Sequence, residues 1–146
     1  MTNIDTKNVV ENLIETFLEA GRTSLFLREK GLIKKIKNDN TPVTNGDLEV
    51  NKIITQKIIK LTPDIPIVSE ETSENKSSGN LNNFWLVDPI DGTYDYMNNL
   101  EEFTINAGLI IKKKPVAGLI YAPAKDRMFY SYGENFAYEL INKKMS

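Results

Sequence analysis

From Phe103 onward the chain reads as four β-type segments in succession, Phe103 to Ile111, Val116 to Tyr121, Met128 to Tyr132 and Phe136 to Ile141, separated only by short polar stretches. Such spacing predicts a meander of antiparallel strands. The first part of the chain has the other period. Between about Asp5 and Lys30, Val10, Leu13, Ile14, Phe17, Leu18 and Leu25 keep helical spacing beside Glu11, Glu15 and Glu19, with a possible loosening at Gly21. A second helix opens at Thr44-Asn45-Gly46-Asp47 and carries Val50, Ile53, Ile54, Ile58 and Leu61 on one face, with Pro63 just past its end. Helices followed by a run of strands make an α+β design: an antiparallel sheet covered by two amphipathic helices. There is no internal repeat and no interdomain linker, so residues 1–146 are expected to form a single domain.

Composition removes most catalytic chemistries. Among 146 residues there is no His and no Cys, which excludes imidazole bases, Ser-His-Asp and Cys-His nucleophiles, thiolate zinc sites and disulfides. Carboxylates, hydroxyls, Lys and backbone remain, and a hydrolase built from these would use a metal to lower the pKa of a bound water. A formal charge of −2 gives no electrostatic reason to expect nucleic acid. Lys34-Lys35-Ile36-Lys37 reads as a solvated strand edge, and it and Lys112 to Lys114 lack the interleaved aromatics of a stacking surface. No apolar run is long enough to span a bilayer, and Met1 to Asp5 lacks a signal peptide's basic start, so a cytoplasmic location is expected.

The chemistry concentrates in Trp85-Leu86-Val87-Asp88-Pro89-Ile90-Asp91-Gly92-Thr93. Pro89 is expected to end the strand carrying Trp85 to Val87, with Asp88 and Asp91 still facing one another across the turn. Two hard oxygen donors so placed suit Mg²⁺ or Mn²⁺. Gly92 allows close backbone approach, and the Gly92 and Thr93 N–H groups would open a short helix over Tyr94 to Met97 where an anion is welcome. The same residues also read as an Asp-Pro-x-Asp-Gly turn without chemistry. Two further acidic features have double readings. Asp47 matches a capping box with Thr44, which is a sufficient structural role. Glu70 and Glu71 follow the short β-type run Ile65 to Ser69 and precede a polar loop; they are either solvated or, if that strand lies beside the one ending at Asp88, part of a metal-binding group of three carboxylates.

Trp85 to Thr93 matches, at each specified position, the W-x-x-D-P-I/L-D-G-T signature of the inositol monophosphatase superfamily, metal-dependent and lithium-sensitive phosphomonoesterases, which the chain therefore resembles. Thr41-Pro42-Val43-Thr44 with Asp47, Val68-Ser69-Glu70-Glu71, and Gly118 to Pro123 follow in the family's order. Within the superfamily the chain is most similar to the CysQ branch, the 3'(2'),5'-bisphosphate nucleotidases, through Glu102-Phe103-Thr104-Ile105-Asn106 and Tyr121-Ala122-Pro123 with Met128 to Ser131. The likeness covers nearly the whole chain, but only about the N-terminal half of the family's usual protein.

The resemblance implies a layered α/β/α fold and two or more Mg²⁺ ions, with Mn²⁺ as a substitute. Glu70, Asp88 and the Ile90 carbonyl would hold the first ion, Asp88 and Asp91 a second, and Glu71 a weaker outer one. Asp47 and Thr93 would orient the attacking water, and Asp91, Gly92 and Thr93 would meet the substrate. It implies in-line hydrolysis of a small phosphorylated metabolite, with 3'-phosphoadenosine 5'-phosphate favoured and an inositol or sugar phosphate as the alternative. Two departures stand out. The branch commonly continues G-T-K-E-F, whereas Gly92-Thr93-Tyr94-Asp95-Tyr96 loses a Lys and gains two aromatic rings near the pocket mouth. The family's W-D-x-A motif, which completes the second metal site from a C-terminal domain, is missing: Trp85 is the only Trp. The chain is thus expected to act with a separately encoded C-terminal half, to self-associate through its uncovered sheet, or to be a non-catalytic truncated remnant or interaction module.

Overall fold

Asp5 opens the first helix, its side chain accepting the Asn8 N–H at 3.1 Å, and α1 runs over Thr6–Lys30 in a computed structural model that describes residues 5–69, 81–133 and 136–141. The helix does not loosen at Gly21, because that residue is buried against the Tyr121 ring and neighbouring turns continue the apolar stripe of Val10, Leu13 and Phe17. An antiparallel pair follows, β1 (Lys34–Ile36) with β2 (Pro42–Thr44), and β1 is exposed throughout, as expected of a solvated edge. Then α2 (Asn45–Leu61) buries Val50, Ile54 and Ile58, residues four apart on one face.

The main sheet contains β3 (Ile67–Ser69), β4 (Phe84–Asp91), β5 (Thr104–Ile111), β6 (Lys114–Ala122), β7 (Arg127–Ser131) and β8 (Ala137–Ile141), neighbouring in that order. The expected α+β architecture is present. From β4 to β8 every neighbouring pair is antiparallel, while β3 runs parallel to β4, so the sheet is mixed. That parallel pair needs a crossover, which leaves β3 and β4 ending on the same side.

Both long helices lie on one sheet face, α1 against β6 and α2 against β4. Alternation along each strand sends Trp85, Val87, Ile105, Leu109, Leu119 and Met128 into the core beneath them. The opposite face is uncovered among the described residues. It presents Leu86, Ile120, Phe129 and Tyr138 at 41–52% exposure around a shallow groove of about 460 Å³. No helix among the described residues is long and apolar enough to cross a membrane.

Candidate functional site

Strand β4 does not end at Pro89; it continues to Asp91 through a bulge. Asp88 pairs with Asn106 and Asp91 with Thr104, so three steps on β4 oppose two on β5. Pro89 is tolerated because this irregular stretch of ladder does not require its missing N–H. The bulge also corrects the side-chain phase. In a regular strand residues three apart face opposite ways, but here Asp88 and Asp91 are matched to Asn106 and Thr104, two residues apart on one face of β5. Ile90 turns into the core instead and is almost fully buried. The two carboxylates therefore share a face, as the sequence motif implies, by way of a bulge rather than a terminal turn.

Asp47 reaches this region from α2. Thr44 and Asp47 form the expected capping box: Thr44 Oγ1 accepts the Asp47 N–H at 3.2 Å, and Asp47 Oδ2 accepts the Thr44 N–H at 2.9 Å. The Thr44 hydroxyl donates to that same oxygen at 2.5 Å. The other carboxylate oxygen, Oδ1, accepts from Thr93 Oγ1 at 3.0 Å, and the Thr93 hydroxyl also lies 3.3 Å from the Ile90 carbonyl. Asp47 is fully buried, and these donors offset the cost of burying its carboxyl group. The capping box forms as expected through Oδ2, and the same side chain uses its other oxygen to hold the Thr93 hydroxyl. Thr44→Ala removes two of these contacts and is expected to cost about 0.5–2 kcal/mol, the range for helix N-caps, as a lowered midpoint in urea unfolding.

After Asp91 the chain must turn at once. Gly92 takes φ +93°, a left-handed conformation, and a Cβ there would lie 2.9 Å from the Glu102 carbonyl oxygen. Helix α3 (Thr93–Met97) starts directly after it. Beside Asp91 and Gly92 opens a cleft of about 370 Å³, bounded further by Glu102, Thr104 and Lys125. Lys125 Nζ lies 2.7 Å from Glu102 Oε2. Neither partner of this ion pair carried a site signal in the sequence, since Lys125 is brought to the cleft only by the pairing of β5 with β6.

Of the two aromatic rings expected near the pocket mouth, only Tyr94 is exposed. Tyr96 is fully buried, because the one short turn of α3 sends residue 96 back towards α1. Arg28 on α1 braces it from outside: its guanidinium donates to the carbonyls of Tyr96 at 3.3 Å and Leu100 at 2.8 Å, and it sits over the Phe103 ring at 5.0 Å.

Glu70 and Glu71 lie outside the described residues. What is described is the strand that delivers them: the parallel register runs Ile67 to Trp85, Val68 to Leu86 and Ser69 to Val87. Ser69 is anchored to α2 by a 2.5 Å hydrogen bond to the Asn51 side-chain oxygen. Glu70 therefore follows Ser69 in sequence as Asp88 follows Val87 on the strand alongside. Among the described residues alone, no three acidic side chains are grouped closely enough to hold a metal ion. The donors that are described, two carboxylates and the Ile90 carbonyl, are all hard oxygens.

A mixed sheet with both long helices on one face, and a bulged strand end that leads through a left-handed glycine into a short helix, frame the candidate site. The family model described as "Inositol monophosphatase family" matches residues 1–139, and the chain belongs to that family. It is 35% identical over 135 residues to the 3'(2'),5'-bisphosphate nucleotidase CysQ of Buchnera aphidicola subsp. Acyrthosiphon pisum, covering 88% of this chain and 51% of the relative. Among solved structures, the extragenic suppressor protein suhB of Bartonella henselae superimposes with a TM-score of 0.80 at 25% identity, covering 90% of this chain and 52% of that one. CysQ from Bacteroides thetaiotaomicron, described as a bacterial member of the inositol monophosphatase family, gives a TM-score of 0.70 at 27% identity, with 94% and 50% covered. The chain thus spans about half the length of the relatives it matches.

Proposed function

We propose that this chain carries the catalytic face of a Mg²⁺-dependent phosphomonoesterase acting on a small phosphorylated metabolite in the cytoplasm, with 3'-phosphoadenosine 5'-phosphate as the favoured substrate. One observation carries the reading: the β4 bulge sets Asp88 and Asp91 on a common face directly before the Thr93 hydroxyl, which is hydrogen-bonded to buried Asp47. A cap and a turn alone would need neither the shared face nor the Thr93 link.

The residues present fit a hard divalent cation. Asp88, Asp91 and the Ile90 carbonyl supply oxygen donors, Glu70 would add a third carboxylate from the end of the neighbouring strand, and Glu71 an outer contact. An Mg²⁺ ion, or Mn²⁺ in its place, held there would make water more acidic and offset the charge of the phosphoryl oxygens; two or more such ions fit the family likeness. The rest is the work of the chain. Because the Thr93 hydroxyl donates to Asp47 Oδ1, its lone pairs are left to accept a hydrogen bond from the attacking water and so orient it, and Asp47 holds that hydroxyl in one orientation. The Gly92 and Thr93 N–H groups would hold the phosphate, with Asp91 beside it at the cleft. An inositol or sugar phosphate is the alternative substrate.

A second reading has its own observation. The apolar sheet face around Leu86, Ile120, Phe129 and Tyr138 is of the kind that either binds a partner or drives self-association. With the chain spanning half of its relatives, the fitting occupant is a polypeptide equivalent to their other half, and without one the chain would act as an interaction module. Colorimetric phosphate release tests both readings, using 3'-phosphoadenosine 5'-phosphate, inositol 1-phosphate and a sugar phosphate with Mg²⁺. The chain is assayed alone and mixed with the C-terminal half of a CysQ relative. Mg²⁺-dependent release, greatest with the bisphosphate, is the expected result. Inactivity of the mixture on all three substrates would overturn the enzymatic reading and leave the interaction module.

A further inference from the structure

Two residues adjoining the Asp47–Thr93 couple fit each other so closely that neither can change alone. Gly46 immediately precedes Asp47, and Tyr96 lies one helical turn after Thr93. An ideal Cβ built on Gly46 would fall within 2.7 Å of the Tyr96 ring and closer still to its hydroxyl. That hydroxyl donates to the Ser24 carbonyl at 2.6 Å, and the Tyr96 N–H returns to the Gly92 carbonyl at 2.9 Å. The ring packs on Phe103, with centroids 4.9 Å apart, under the Arg28 guanidinium. One buried side chain of α3 therefore touches α1, the first turn of α2 and the residue that leads into β5.

We propose that Tyr96 is a positioning residue of this site: its hydroxyl occupies the space that a side chain at position 46 would take, and so fixes the depth at which the α2 N-terminus meets α3 and the geometry of the Asp47–Thr93 hydrogen bond. A phenylalanine would leave that space empty and the Ser24 carbonyl without its donor, and an alanine at 46 would push the ring or the helix end away. The two positions are coupled: an alanine at 46 meets the hydroxyl first and two ring carbons behind it at 2.7 and 2.8 Å, so phenylalanine at 96 relieves the closest of the three contacts and leaves the ring to give way for the rest. The phenol remains a donor throughout the working pH range, since burial and the nearby Asp47 carboxyl raise its pKa well above the usual tyrosine value. The meaning of this device for catalysis rests on the roles proposed above for Asp47 and Thr93, whereas the coupling itself does not.

Hydrogen exchange of backbone amides, read by NMR on the full chain without substrate, tests the coupling. The Thr44 N–H is the reporter, because it donates to Asp47 Oδ2. Gly46→Ala is expected to speed its exchange by about tenfold relative to the amides of β5 and β6, and Tyr96→Phe by roughly threefold. The double variant is expected to exchange more slowly than Gly46→Ala alone, a non-additive partial rescue. If Gly46→Ala does not fold, folding of the double variant is the rescue. Additive losses in the double variant, its failure to fold, or a Thr44 amide that merely follows β5 and β6 would overturn the proposal. Because no substrate is involved, such a failure leaves the phosphatase reading standing, and an inactive chain leaves the coupling measurable.

Discussion

Asp88→Asn is expected to weaken Mg²⁺ binding at least tenfold, to roughly the limit of a calorimetric titration, since affinity for hard cations follows the number of charged oxygen ligands. Asparagine keeps the shape of the side chain and one oxygen, so the change isolates charge from packing. Asp88 lies at the last regular pair of the β4–β5 ladder before the bulge, and in the proposed arrangement it is shared between two ions. Asp47 cannot take its place, because both of its oxygens are bonded to threonines, and Asp91 has its own role in the proposed arrangement. Asp64→Asn, an exposed acidic residue in the turn after α2, is the control and should leave the titration unchanged. Equal binding by wild type and Asp88→Asn would remove the strand-end carboxylates from the site.

Trp85→Ala is expected to be the most damaging single change to stability, at about 3–5 kcal/mol. The indole is fully buried between α2 and the sheet, in a strand paired on both sides, and its Nε1 donates to Thr62 Oγ1 at 3.0 Å. Truncation leaves a large void there, and a chain of this size has only about 5–15 kcal/mol in total. The loss should lower the thermal midpoint by on the order of 10 °C. Leu86, the next residue on the same strand, offers the comparison: it is 52% exposed on the uncovered face, and Leu86→Ala should cost less than about 1 kcal/mol. A similar loss at both positions would mean that the face around Leu86 is covered in solution, as it would be in a self-associated form.

The elements were legible because their periods are clean. Two helical stripes and four strand segments appear where the spacing predicts them, and the capping box at Thr44 and Asp47 forms as its pattern requires. Local signals did not reveal long-range geometry. Pro89 marks an irregularity, but whether a strand stops there or bulges depends on how β5 pairs beside it. Tyr94 and Tyr96 are chemically alike and two residues apart, yet one is exposed and the other is the centre of a four-element contact. Gly46 reads as an unremarkable member of a helix start until the ring across from it is seen. Arg28 is seventy-two residues from the carbonyl it holds most closely, so no local pattern could connect them. Among the candidate ligands, Asp88, Ile90 and Asp91 stand together in one motif, while the reading of Glu70 depends on a parallel strand pair that no local pattern announces and whose described register ends at Ser69 beside Val87.

The central claim is that carboxylates from two adjoining strands hold a common divalent cation beside Thr93. Paramagnetic broadening by substoichiometric Mn²⁺ in amide NMR spectra tests it most directly. Early and joint loss of the Glu70, Asp88 and Asp91 signals, reversed by excess Mg²⁺, is the result the account requires. Broadening centred elsewhere, at Glu101 and Glu102 for instance, with those three signals still sharp, would contradict it.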